Sequence, residues 1–110
     1  MDGWLAVAFE AHSPERNHHR RYEVAVGRDL LGDWTVTIRY GRTGQGGQER
    51  RYAAATAAAL RAVIHIHLLR RLSAPRRIGC VYRLVSCTAG AGLDPADWLP
   101  ADVMARFPRN

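Results

Sequence analysis

The stretch Trp34-Thr35-Val36-Thr37-Ile38-Arg39-Tyr40, followed by four glycines within Gly41–Gly47, constrains this chain more than any other feature. Trp34, Val36, Ile38 and Tyr40 fall on one side of an extended backbone, and Thr35, Thr37 and Arg39 on the other. Strict alternation of β-branched and aromatic residues is the period of a strand with one face in a core. The glycines let the backbone reverse sharply. Gln48–Tyr52 is therefore expected to return as a partner strand, and the hairpin's apolar face must be covered by something else in the chain.

The remaining segments supply the cover. Trp4–Phe9 is a short apolar run bounded by His12-Ser13-Pro14 and reads as a buried strand. Arg16–Arg21 is polar and basic and reads as a connection. Tyr22, Val24 and Val26 alternate with Glu23, Ala25 and Gly27, a second half-buried strand, and Asp29–Asp33 is a turn around Gly32. Thr56 is positioned as the N-cap of a helix running to about Leu72. Ala57, Leu60, Ile64, Leu68 and Leu72 form its apolar stripe, flanked by Val63 and His67, while Ile66 and Leu69 point the other way. Pro75 ends the helix. Ile78–Val85 reads as a last strand with Cys80, Tyr82 and Leu84 on one face. Thr88–Gly92 is a small-residue linker, and Asp94–Phe107 a short helical tail carrying Trp98, Leu99, Met104 and Phe107. The tail is expected to fold back over the Ile66/Leu69 face or to dock on a partner. The fold expected is α+β: one antiparallel sheet of about five strands with an amphipathic helix across it, residues 1–87, then a linker and tail, residues 88–110.

At 110 residues with 47% hydrophobic residues, the chain suits one domain with one core. It has no apolar run of membrane-spanning length, and Met1-Asp2-Gly3-Trp4 carries an acid where a secretory leader needs positive charge. A cytoplasmic protein is expected. Cys80 and Cys87 make neither a disulfide framework nor a zinc motif. The formal net charge is +6, and all 16 basic residues are arginine. The positive field favours polyanions as partners; the absence of lysine also fits a GC-rich coding bias.

Tyr40-Gly41-Arg42-Thr43-Gly44-Gln45-Gly46-Gly47-Gln48 carries the chemistry. An aromatic ends the core-facing strand, a glycine turns the chain, and an arginine is presented at the bend. Successive amides in a glycine-rich turn can form an anion-binding concavity, the guanidinium adds a bidentate phosphate donor, and the aromatic offers a stacking surface. Arg39, Arg50 and Arg51 lie close enough to add backbone-phosphate contacts, and one of the Arg50/Arg51 pair is expected on the surface of Arg42.

This segment, from Trp34 through Tyr40-Gly41-Arg42, Gly44 and the closing Gly47-Gln48, resembles the motif of the WGR domain family. Pro14-Glu15-Arg16-Asn17, Tyr22 and Asp29-Leu30-Leu31-Gly32-Asp33-Trp34 resemble the approach to the motif in small bacterial members, and the resemblance spans roughly Glu15–Val85. In the poly(ADP-ribose) polymerases the family's domain contacts DNA at strand breaks. Its motif tryptophan packs on the terminal nucleotide, and its arginine contacts the DNA end and neighbouring domains. The resemblance thus implies roles for Tyr40 in the tryptophan position, Gly41 at the turn and Arg42 at the contact. Tyrosine departs from the motif and offers a smaller stacking face.

Other chemistries find little support. His65 and His67 are separated by about 200° around a helix, and His18-His19 has no carboxylate or thiol set beside it in sequence, so no metal or cofactor is expected. His67 reads as a core histidine. No nucleophile–base or paired-carboxylate spacing is present, and the glycine loop lacks the Gly-Lys-[Ser/Thr] of a phosphate-binding loop. The expectation is a non-enzymatic module that binds DNA ends, nicks or the phosphate backbone through Tyr40, Gly41, Arg42, Gly44, Gln48, Arg39, Arg50 and Arg51. The alternative is a protein-interaction adaptor using the helix face or the tail.

Overall fold

The structure is a computed structural model that describes residues 3–109. Met1, Asp2 and Asn110 lie outside the described residues, and with them the N-terminal acid on which the leader argument rested. Five strands, β1 (Leu5–Ser13), β2 (His18–Arg28), β3 (Trp34–Arg42), β4 (Gln48–Ala54) and β5 (Arg83–Ala89), form one sheet in the order β4-β3-β2-β1-β5. Every pairing is antiparallel. Helix α1 (Ala57–Leu72) lies against β3 and β4. The fold is α+β, as the alternation and the single amphipathic stripe predict.

Period-2 patterning decides which side of the sheet is dry. Leu5, Val7, Phe9 and Ala11 of β1, Tyr22, Val24 and Val26 of β2, and Val36 and Ile38 of β3 are buried on one face. Leu60, Ile64 and Leu68 of α1 are buried against that face, one helical turn apart. Thr56 holds the N-cap position in an extended conformation, yet its hydroxyl makes no capping bond.

Three segments differ from the sequence expectation. The polar stretch read as a connection between the first two strands is mostly strand: β2 begins at His18, and the reversal is one 3-10 turn, Pro14–Arg16, closed by Asn17 in the left-handed region at φ 55°. Paired with β1 throughout, and at Arg20 and Arg21 also with β3, these residues are held extended by ladder bonds although they bury little apolar surface. The last strand starts at Arg83 rather than Ile78, because Pro75 opens a further short helix, α2 (Ala74–Ile78), which ends at Gly79 in the left-handed conformation. Cys80 and Tyr82 are buried nonetheless. The expected linker also loses Thr88 and Ala89 to β5.

The third difference is the tail. It forms two short helices, α3 (Pro95–Trp98) and α4 (Ala101–Met104), the first capped by the Asp94 carboxylate accepting from the Ala96 amide at 3.0 Å. Trp98, Leu99, Val103, Met104 and Phe107 are buried. Phe107 meets Phe9 at 4.6 Å between ring centroids, and Trp98 meets Trp34 at 5.1 Å. The tail does not cover Ile66 and Leu69, which remain 60% and 41% exposed. A single helix is narrower than a five-stranded sheet, so the apolar side of β1 and β5 needs its own cover, and the tail provides it. The Leu84 amide donates to the Pro108 carbonyl at 2.8 Å, which ties the chain's end to β5. No helix of the described residues is long and apolar enough to cross a membrane.

Candidate nucleic-acid interface

The bend between β3 and β4 is built by backbone proximity. A Cβ at Gly41 would lie 2.6 Å from Gly47 Cα, and one at Gly47 (φ 66°) would lie 2.5 Å from the Tyr40 carbonyl oxygen. Only glycine fits both positions. The Gln45 amide donates to the Arg42 carbonyl at 3.1 Å, closing the turn at the tip, and the Thr43 amide donates to the His19 carbonyl at 2.7 Å, fastening the loop to β2. Two of the loop amides expected to face an anion are therefore bonded within the protein. Arg21, Glu23, Arg39 and the loop line a concavity of about 200 Å³.

Register then divides five of the eight expected residues between two faces. Tyr40 pairs with Gln48, Ile38 with Arg50 and Val36 with Tyr52. Since Val36 and Ile38 are buried, Tyr40, Gln48 and Arg50 look toward the α1 side. The Tyr40 hydroxyl donates to Gln48 Oε1 at 2.7 Å and accepts from Arg50 Nε at 3.4 Å. That bond holds the Arg50 guanidinium above its ordinary value. Arg39 and Arg51 alternate onto the opposite, helix-free face, where Arg39 Nε donates to Glu49 Oε1 at 2.6 Å. Of the Arg50/Arg51 pair, Arg50 shares the side of Tyr40.

Arg42 sits at the end of β3, exposed. Its guanidinium donates from Nη1 to the Asn17 carbonyl and from Nη2 to Asn17 Oδ1, both at 3.1 Å. Among the described residues the arginine–carboxylate pairs are Arg21 with Glu10 and Glu23, and Arg39 with Glu49. Arg42, Arg50 and Arg51 have none. Pairing thus separates the cations already neutralised from those presented to solvent with their charge intact.

Three features escaped the sequence reading. Asn17 is one; an Asn closing a Pro-Glu-Arg turn is a known signal for the left-handed region, but not for an arginine 25 residues away. Arg71 is another. Half-buried at the end of α1, its guanidinium carbon lies 4.4 Å from the centre of the Tyr22 ring, 5.7 Å from Tyr40 and 6.0 Å from Tyr82, within cation–π range of all three. Its Nε and the Tyr22 hydroxyl have no hydrogen-bond partner among the described residues, and burial pushes that hydroxyl's pKa up. The Tyr40 side chain is therefore engaged at its hydroxyl by Gln48 and Arg50, with the Arg71 guanidinium 5.7 Å from its ring centre. The third feature is a set of histidine contacts: His18 Nδ1 lies 3.4 Å from Cys80 Sγ, and His12 lies between His19 and Glu10.

Compared with known protein families, the chain matches the WGR domain over residues 5–63. No curated protein and no solved structure matches it.

Proposed function

The chain belongs to the WGR domain family, and we propose that it is a non-enzymatic module that binds DNA at ends or nicks through the Tyr40-Gly41-Arg42 hairpin. In poly(ADP-ribose) polymerases the domain is of the nucleic-acid-binding type. The observation that carries the reading here is Arg42: an exposed guanidinium, oriented by two bonds to a neutral residue and free of any described carboxylate. It can exchange the Asn17 contacts for a phosphate without breaking an ion pair. Arg50 stands on the same side as a second phosphate contact, with Gln48 and the Tyr40 hydroxyl beside it as polar contacts to sugar or backbone. Arg39 is a weaker candidate, since it must release Glu49 first. Contacts of this kind are sequence-tolerant and salt-sensitive.

Anisotropy titration tests the reading with nicked duplex, blunt 5′-phosphorylated duplex and uninterrupted duplex at two salt concentrations. The expected result is tighter binding to the first two, with Arg42→Ala weakening them at least about tenfold, the loss of one charge-assisted hydrogen bond pair. Equal weak binding to all three, indifferent to the substitution, overturns it.

A second reading, a protein-interaction adaptor, rests on Ile66 and Leu69, adjacent on the outer side of α1 and exposed as large apolar side chains. It gains ground if Ile66→Ser/Leu69→Ser abolishes capture of a partner while DNA binding is absent.

A further inference from the structure

On the helix-free face, beside the β1–β2 turn, two histidines meet. His12 and His19 are direct cross-strand partners, and their Nδ1 atoms are 3.1 Å apart. His12 Nε2 is 2.8 Å from Glu10 Oε1, while Glu10 Oε2 is bonded by Arg21, which also bonds Glu23.

The carboxylate fixes the chemistry of the pair. An ionised carboxylate only accepts, so His12 Nε2 carries the proton in the neutral ring, and the lone pair lies at Nδ1. That lone pair faces His19 Nδ1. The pair is completed either by a proton on His19 or by a cation lying between the two nitrogens. With metal–imidazole bonds of about 2.0–2.1 Å, a cation equidistant from both nitrogens would subtend an angle of about 100°, between the octahedral and tetrahedral values. Glu10 on the far nitrogen of His12 is the outer-sphere carboxylate that orients metal-bound histidines and raises their basicity.

The geometry points to a two-histidine site for a borderline divalent transition cation of the zinc and nickel class, with His12 Nδ1 and His19 Nδ1 as donors and Glu10 as the orienting carboxylate. Imidazole donors select such ions over magnesium and calcium. Among the described residues no three His, Cys, Asp or Glu side chains form a metal set, so solvent completes the coordination and exchange is fast. The site is independent of the nucleic-acid reading, because none of its three residues belongs to the hairpin.

Calorimetric titration of the full, untagged chain with Zn²⁺ is the test, accompanied by amide-resolved NMR with Ni²⁺. One equivalent is expected to bind, and Ni²⁺ is expected to broaden the amides around Glu10–His12 and His19–Arg21 first. His12→Gln and His19→Gln should each weaken binding about tenfold or more, and Glu10→Gln by about tenfold through the lost outer contact. His65→Gln on the far side of the helix should leave it unchanged. Unaltered thermal midpoints in these surface variants separate a lost ligand from a lost fold. No one-equivalent binding by the wild type, broadening centred on another histidine, or affinity unchanged in both His12→Gln and His19→Gln overturns the assignment.

Discussion

Arg42 and Asn17 are 25 residues apart in sequence and joined by two hydrogen bonds of 3.1 Å, one to the asparagine carbonyl and one to its side-chain oxygen. The turn after β1 thereby aims the guanidinium at the end of β3. Asn17 also holds the left-handed conformation at φ 55°, which asparagine and glycine tolerate and other residues resist.

The two roles of Asn17 separate by substitution. Asn17→Gly keeps the backbone and the carbonyl bond but loses the side-chain bond; it should leave stability nearly unchanged and weaken DNA binding only a few-fold. Asn17→Ala should cost about 1 kcal/mol in addition, from the strained φ. Urea denaturation and anisotropy on the same samples check both. Equal stability of the two variants would show that the conformation is not enforced.

The hairpin makes a graded prediction. Gly44→Ala places a Cβ in open space at φ 82°, whereas Gly47→Ala places one 2.5 Å from the Tyr40 carbonyl. The first should cost about 1 kcal/mol from the left-handed backbone alone, the second distinctly more. If chemical denaturation ranks them the other way, the close approach of the two strands is wrong.

The tail should behave as core. Phe107→Ala, removing a buried ring that faces Phe9 at 4.6 Å, is expected to cost about 3–5 kcal/mol. Truncation after Gly92 exposes the apolar side of β1 and β5 and should abolish cooperative unfolding. A truncated chain with an unchanged denaturation midpoint would make the tail an appendage.

His67 gives a pH signature. Burial pushes its imidazole below the ordinary histidine value, and the charges of Arg71, Arg70 and Arg50 add to the effect. The folded state thus binds fewer protons than the unfolded one, and stability rises with pH across this window. It should fall as the pH drops through the ordinary histidine range near 6.5 toward the depressed folded value. His67→Gln removes the group, so its urea midpoint should fall less than wild type between pH 7.5 and 5.5. Parallel declines contradict the assignment.

Much of this was legible in the residues because it is local. Trp34–Tyr40 alternates, Gly41–Gly47 bends, and Leu60, Ile64 and Leu68 recur at helical spacing; each follows from backbone geometry within a few residues. The family motif is equally local, and a match over residues 5–63 agrees with it. His18–Arg21 was not legible as strand, because its extended form comes from pairing with β1, and at Arg20 and Arg21 also with β3, rather than from its own polar side chains. The start of β5 was missed because Pro75 and Gly79 insert a helical turn where alternation had been assumed.

The candidate site shows the same division. Sequence determined that a guanidinium and an aromatic would flank a glycine bend, since that is written in three consecutive residues. Only tertiary structure decided which arginines keep a free charge. Arg39 and Arg50 look alike in sequence, but register sends the first to Glu49 and the second to the Tyr40 hydroxyl. Likewise, Arg71 reaches Tyr22 and Asn17 reaches Arg42 only once the sheet and helix are assembled. Ion pairing and burial depend on distances between segments remote in the chain, and neither periodicity nor composition encodes those distances.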